Sequence, residues 1–219
     1  MILTKEYRHY RNAILFSLFL AFLVALFLII YGKEASFLVI NKYNSPTFDY
    51  IFEYWTYLGD GLIWVPLFIY VLLLKREFFI AILASLIICT VLTHFLKRVV
   101  FPDELRPLLA LGHEKIRVIE GIRVHTNNSF PSGHTSTAFT LALLMAFIVR
   151  GNFWVYFFPL VAFFVGYSRV YLAQHFVTDV FAGMLIGIVS SYLSLLVYEK
   201  FKKRKKKGAT TIEDHPLPS

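Results

Sequence analysis

Long apolar stretches alternate along the chain with short polar or basic intervals, and about 20 predominantly apolar residues suffice for a helix to cross a hydrocarbon layer. Six stretches fit, at about 13–31, 55–74, 78–96, 135–149, 153–169 and 176–198. They predict an all-α integral membrane protein, with six transmembrane helices in one bundle, because a helix satisfies its own backbone where no water is present. The first stretch follows a basic leader containing Lys5, Arg8 and Arg11, and no clear small-x-small cleavage site comes after it. It is expected to be an uncleaved anchor. Ahead of the second stretch, Ser45-Pro46 has the form of an N-cap followed by a first-turn proline, and Phe48, Ile51, Phe52 and Trp55 fall at helical spacing. This segment fits either an interfacial helix beneath the headgroups or the wet start of the second span. Asp60 and Gly61 mark a helix end. Residues 1–199 form one membrane domain on this reading, and 200–219 form a basic cytoplasmic tail without regular structure, with Lys202, Lys203, Arg204, Lys205, Lys206 and Lys207 at its start.

Basic residues in short loops set orientation. The leader, Lys75-Arg76, Arg150 and the Lys-rich tail fall on one side of a six-span bundle, so both termini are expected to be cytoplasmic. The opposite side then holds the loops at 32–54, 97–132 and 169–175. Composition agrees: 58% hydrophobic residues against 16% charged is too apolar for a soluble domain. The formal charge of +8 would suit nucleic acid, but many of the cations sit at the termini beside apolar spans, where they suit anionic lipid instead. The lone Cys89 can form no internal disulfide and fits a small buried or lipid-facing position.

The outer loops and adjoining span ends carry nearly all the suggestive chemistry. Lys97, Arg106, His134, Arg169, His175 and Asp179 are placed at one level of the membrane by topology alone. Each cation taken singly is explained by snorkelling or headgroup contact. Together the six have the inventory to bind a phosphate and break its ester. Ser132 is a good N-cap for the fourth span. Gly133 removes a side chain where an anion could approach helix N–H groups, and His134 in the first turn could protonate a leaving oxygen. By itself this segment is equally a turn and a cap. His175 and Asp179 are four apart, so a helix starting near Gln174 would put them on one face. Asp179 could then orient one imidazole nitrogen and free the other to attack.

These residues resemble the type 2 phosphatidic acid phosphatase superfamily. Its Pro-Ser-Gly-His motif matches Pro131 to His134, and its Ser-Arg-x5-His-x3-Asp motif matches Ser168, Arg169, His175 and Asp179. Its Lys-x6-Arg-Pro motif departs: Arg106-Pro107 is present, but the lysine position falls on Val99. Lys97 is assigned to it, with Phe101-Pro102-Asp103 absorbing an insertion, and Arg98 is the competing choice. The likeness covers about 57–198 in architecture and the three motifs in specific residues. It implies hydrolysis of a phosphomonoester or pyrophosphate with no metal and no cofactor. His175 would be the nucleophile, Asp179 its orienter and His134 the acid, while Lys97, Arg106, Arg169, Ser132 and the Gly133 amide would hold the phosphate oxygens. The expected partners are the bilayer and a lipid substrate: a polyprenyl pyrophosphate, phosphatidylglycerol phosphate, phosphatidic acid or a lipid A-like glycolipid. The expected location is the bacterial inner membrane, with the site facing the exterior. Two alternatives remain, a lipid phosphotransferase with the same site and a small transporter or channel. The related vanadium-dependent haloperoxidases are soluble. His94 is expected to pack or hydrogen-bond within its helix, and His113, Arg117, Arg123 and His125 to lie in a solvated loop.

Overall fold

The computed structural model describes residues 5–43 and 45–214, with side chains described for 7–43 and 45–205. The Lys5, Lys206 and Lys207 side chains and the last residues of the tail, 215–219, lie outside the described residues.

Helix α1 spans Lys5–Asn41 and is kinked at Gly32, whose φ of 73° and ψ of −177° suit glycine. The chain therefore turns at the end of the first apolar stretch but resumes as helix, so much of the expected outer loop is helical. Helix α2 (Pro46–Trp55) begins with Pro46 in its first turn, as the sequence suggested. Ser45 makes no side-chain cap bond; its backbone N–H instead donates to the Tyr171 hydroxyl at 3.3 Å. Two short 3₁₀ turns, Thr56–Gly59 and Gly61–Ile63, lead to α3 (Trp64–Leu74). The two halves on either side of Asp60 are bent by 58°, so the second apolar stretch is a broken span with an added helix ahead of it. Asp60 forms the corner, its carboxylate accepting from the Leu62 N–H at 2.9 Å.

Helix α4 (Phe79–Phe95) ends in a π turn at Leu96–Val100, and the short α5 (Pro107–Leu111) lies in the following loop. Helices α6 (Gly133–Val149), α7 (Asn152–Tyr171) and α8 (Val177–Asp214) complete the bundle. Among the described residues, four helical runs are long and apolar enough to cross a membrane, or five if the bent pair is one span; α6 is shorter. Helix α8 continues as far as Asp214, so the stretch expected to lack regular structure from residue 200 extends the helix. Lysine is a good helix former, and the apolar part of α8 supplies the nucleus.

Helix α6 is the centre of the bundle, with Phe139, Leu143, Leu144 and Phe147 buried. Helix α8 approaches it through Gly183 and Gly187, which are one turn apart. A Cβ at Gly183 would lie 2.8 Å from the Ser132 carbonyl oxygen, and one at Gly187 would lie 2.5 Å from Phe139 Cβ. Small residues permit such backbone approach where lipid supplies no hydrophobic drive. The contact sets one end of the bundle: the Ser132 N–H donates to the Asp179 carbonyl at 3.0 Å, joining the starts of α6 and α8. Cys89 is buried and free, while Leu15, Phe22, Ile29, Ile69, Leu73 and Val91 face outward, as hydrocarbon contact requires.

Candidate active site

The link between α7 and α8 folds back on itself, with the N–H groups of Gln174 and His175 both donating to the Arg169 carbonyl, at 2.9 and 3.1 Å. Helix α8 begins at Val177, later than the sequence suggested, yet His175 still meets Asp179: Nδ1 lies 3.2 Å from Oδ2. The side chains are only 2% and 1% exposed. Asp179 Oδ2 also accepts from the Phe176 N–H at 3.0 Å and from the Ser129 hydroxyl, and Oδ1 accepts from Thr178 Oγ1 at 3.2 Å. Held by these donors, the carboxylate acts as acceptor to Nδ1–H and leaves a lone pair on Nε2. Burial first, then the positive charges of Arg106, Arg169 and Lys97, hold the His175 imidazole well below its ordinary pKa of 6.5. It is therefore neutral at physiological pH.

Three cations surround this pair. Arg106 is buried; its Nε donates to the Asn127 carbonyl at 3.0 Å and its Nη1 to the Gln174 carbonyl at 2.9 Å and to Gln174 Oε1 at 3.2 Å. Arg169 donates from Nη1 to Thr56 Oγ1 at 2.7 Å, while its Nε is a buried donor with no hydrogen-bond partner among the described residues. A buried donor left open costs about 1–3 kcal/mol, and an anion in the site would satisfy it. Lys97 lies in the π turn that closes α4, where the Phe101 N–H reaches the Leu96 carbonyl at 2.8 Å. Lys97 is half-buried and Arg98 exposed. The charges of Arg106, Asp179 and Arg169 all act on Lys97. The π turn takes one residue more than an α turn, and with the turn that follows it accommodates the longer interval between Lys97 and Arg106.

At the start of α6, Ser132 occupies the N-cap with extended backbone. Its Oγ accepts from the Thr135 N–H at 3.4 Å and from Thr135 Oγ1 at 2.9 Å. A Cβ at Gly133 would meet only Thr93 Cγ2, at 3.7 Å, so space beside the first turn is open. His134, 27% exposed, points Nε2 at Asp60 Oδ2, 3.6 Å away, and lies within electrostatic range of Arg169, His175, Arg106 and Lys97. The structure thus brings all eight candidates to one end of the bundle. Such an arrangement can bind a tetrahedral dianion between one neutral, oriented imidazole and a second imidazole on the neighbouring helix.

Sequence reasoning passed over Ser129, Gln174 and Thr56, and took Asp60 for a helix end. Gln174 adjoins His175 and could have been suspected; Ser129 and Thr56 carry no local signal, since their partners are distant in the chain. Of the outer-loop residues, Arg117 is tied to Asp49, and its backbone N–H donates to Asn41 Oδ1 at 2.7 Å, so it fastens the loop. His125 is exposed at the mouth; partial burial and then the charges of Arg106, Arg123, Arg169 and Lys97 lower its pKa. His94 is exposed rather than packed inside the bundle.

The PAP2 superfamily model matches residues 78–203. The crystal structure of Aquifex aeolicus LpxE is similar, with a TM-score of 0.66 and 32% identity, covering 74% of this chain and 94% of that one. The lipid A 4'-phosphatase of Porphyromonas gingivalis is 28% identical over 173 residues, 74% of this chain and 71% of that protein. The undecaprenyl-diphosphatase of Sulfolobus acidocaldarius is 28% identical over 200 residues, 87% of this chain and 92% of that protein. With the family model covering more than half its length, the chain belongs to the PAP2 superfamily. It is a membrane lipid phosphatase of the PAP2 type, a hydrolase of phosphoester bonds.

Proposed function

We propose that the protein hydrolyses a phosphomonoester or pyrophosphate on a membrane lipid at the outer face of the bilayer, through a phosphohistidine formed on His175. The observation that carries this reading is the buried His175–Asp179 pair at 3.2 Å beside an open guanidinium donor of Arg169. The Nε2 lone pair of His175 attacks phosphorus, the bond from phosphorus to the leaving oxygen breaks, and that oxygen takes a proton from His134. Lys97, Arg106, Arg169, Ser132 and the Gly133 N–H stabilise the charge on the phosphoryl oxygens as it redistributes. Water then attacks the phosphohistidine, gives a proton back to His134, and inorganic phosphate leaves. No step needs a metal.

Helix α1, the bent α2–α3 pair, α4, α6, α7 and α8 make six crossings on this reading. A helix of the length of α6 (17 residues) spans about 26 Å, short for a membrane but adequate inside a bundle that thins it. The basic residues at 75–76, at 150 and after 199 then share the cytoplasmic side with both termini, and the site opens outward. The substrate classes are lipid A-like glycolipids and polyprenyl pyrophosphates, on which relatives covering most of the chain are named as acting, together with phosphatidylglycerol phosphate and phosphatidic acid. The test is phosphate release by the purified protein from each of the four lipids, run alongside His175→Ala and with base-quenched trapping of labelled enzyme. One lipid should release phosphate and leave an acid-labile, base-stable label on wild type. Release without any such label, or label passing only to a second lipid, would overturn the reading.

A further inference from the structure

The corner of the bent α2–α3 pair enters the site from a side that none of the three motifs covers. Gly59 lies so tightly against α6 and α7 that a Cβ there would fall 2.6 Å from the His134 carbonyl oxygen and 2.6 Å from Val165 Cγ1. Thr56, three residues earlier, receives the Arg169 hydrogen bond at 2.7 Å. The corner is therefore fixed against both helices. Asp60 comes next. One of its oxygens, Oδ1, accepts from the Leu62 N–H at 2.9 Å, which locks the side chain to its own backbone. The other, Oδ2, faces His134 Nε2 at 3.6 Å.

The main charged and titratable groups acting on His134 are Arg169 from α7, His175 from the α7–α8 link, Arg106 from the loop before α6 and Lys97 from the end of α4, and Asp60 also acts on Arg169. The first four are cationic or neutral. Asp179 of α8 is committed to His175, Ser129 and Phe176. Asp60 is thus the carboxylate turned toward His134, and it reaches the ring from an element that carries no motif.

We infer that Asp60 is a positioning residue for leaving-group departure: its carboxylate orients the His134 ring and supports the imidazolium that supplies the proton. The inference rests on the reading of His134 as the acid. With Nε2–H directed at Asp60, Nδ1 is the nitrogen that donates. The Nδ1–H bond breaks, an O–H bond forms on the departing oxygen, and the electron pair stays on Nδ1 of a neutral imidazole. An acid of this kind contributes about 10²–10⁴-fold, and a support acting through it contributes part of that.

The test uses two phosphomonoesters with the same lipid chain, one releasing an alkyl alcohol and one releasing a nitrophenol, which departs without a proton. Values of kcat/KM are compared because they extend only through leaving-group departure. Asp60→Asn keeps an oxygen for the Leu62 N–H and removes the charge. It should lower kcat/KM by about 10- to 100-fold for the alkyl ester and by less than about 3-fold for the nitrophenyl ester. His134→Ala should show the same split, larger. Asp60→Ser, which also retains a capping oxygen, should give the same split and serves if the first variant does not fold. Equal losses on both esters, or no loss on either, overturns the role of Asp60 while the split in His134→Ala persists. If His134→Ala itself shows no split, the reading of His134 as the acid falls, and this inference with it.

Discussion

At the end of the bundle away from the site, Tyr10 and Ser191 share a buried hydrogen bond of 3.0 Å and Tyr7 meets Glu199, among the packed rings of Phe78, Phe147 and Tyr198. At the site end, Arg106, Arg169 and Lys97 act on one imidazole, and Asp179 is the one buried carboxylate among the described residues. The Tyr10–Ser191 and Tyr7–Glu199 pairs hold helices together, and the buried His9 Nδ1 and Ser190 Oγ near them lack hydrogen-bond partners among the described residues but carry no cluster of cations. The site end has a surplus of positive charge beside its open donor, which is costly in an empty site and favourable once a phosphate enters. The difference separates a clasp from a binding site more clearly than polarity does.

Five tests probe that contrast. The largest effect is expected at the site end: His175→Ala should lower phosphate release by about 10⁴-fold or more and leave a folded protein by size-exclusion chromatography and thermal melting. Retained turnover would remove the nucleophile from the scheme. Asp179→Asn should follow, with a loss of about 10²–10⁴-fold in kcat, because an amide would set N–H groups against the Ser129 and Phe176 donors and would no longer balance the cations. Next, Lys97→Ala should lower kcat/KM by about 10²-fold, while Arg98→Ala stays within about 2-fold, as expected for an exposed cation. The reverse order would mean that Arg98 fills the first-motif position.

Acid tests the same crowding through stability. The folded-state pKa of His175 lies below 6.5, so the unfolded chain takes up the proton first. Its contribution to stability is intact above pH 6.5 and is lost progressively as pH falls below it. Melting temperature should therefore decline below that pH by several degrees in wild type and by less in His175→Gln; identical declines would show that another group carries the acid sensitivity. The smallest effect belongs to the end away from the site, where Tyr10→Phe should cost about 1 kcal/mol of stability and leave kcat/KM unchanged. A change in turnover there would mean that the two ends are coupled.

Much of this was legible in the chain. The length of its apolar stretches located the membrane helices, because a stretch that must lie in hydrocarbon has few alternatives to a helix. The residues His134, Arg169, His175 and Asp179 were marked by short spacings that one helix turn or one short link can satisfy. Three-dimensional contacts decided the rest. The bend at Asp60, the resumption of helix after Gly32 and the extension of α8 depend on what each segment packs against, and hydropathy alone does not report that. Ser129 on Asp179, Thr56 on Arg169, Gln174 on Arg106 and Asp60 on His134 join residues from separate elements. Local sequence pattern specifies which residues can react; only the close approach of α6 and α8 at Gly183 and Gly187, with the α2–α3 corner wedged against α6 and α7 at Gly59, determines which of them meet.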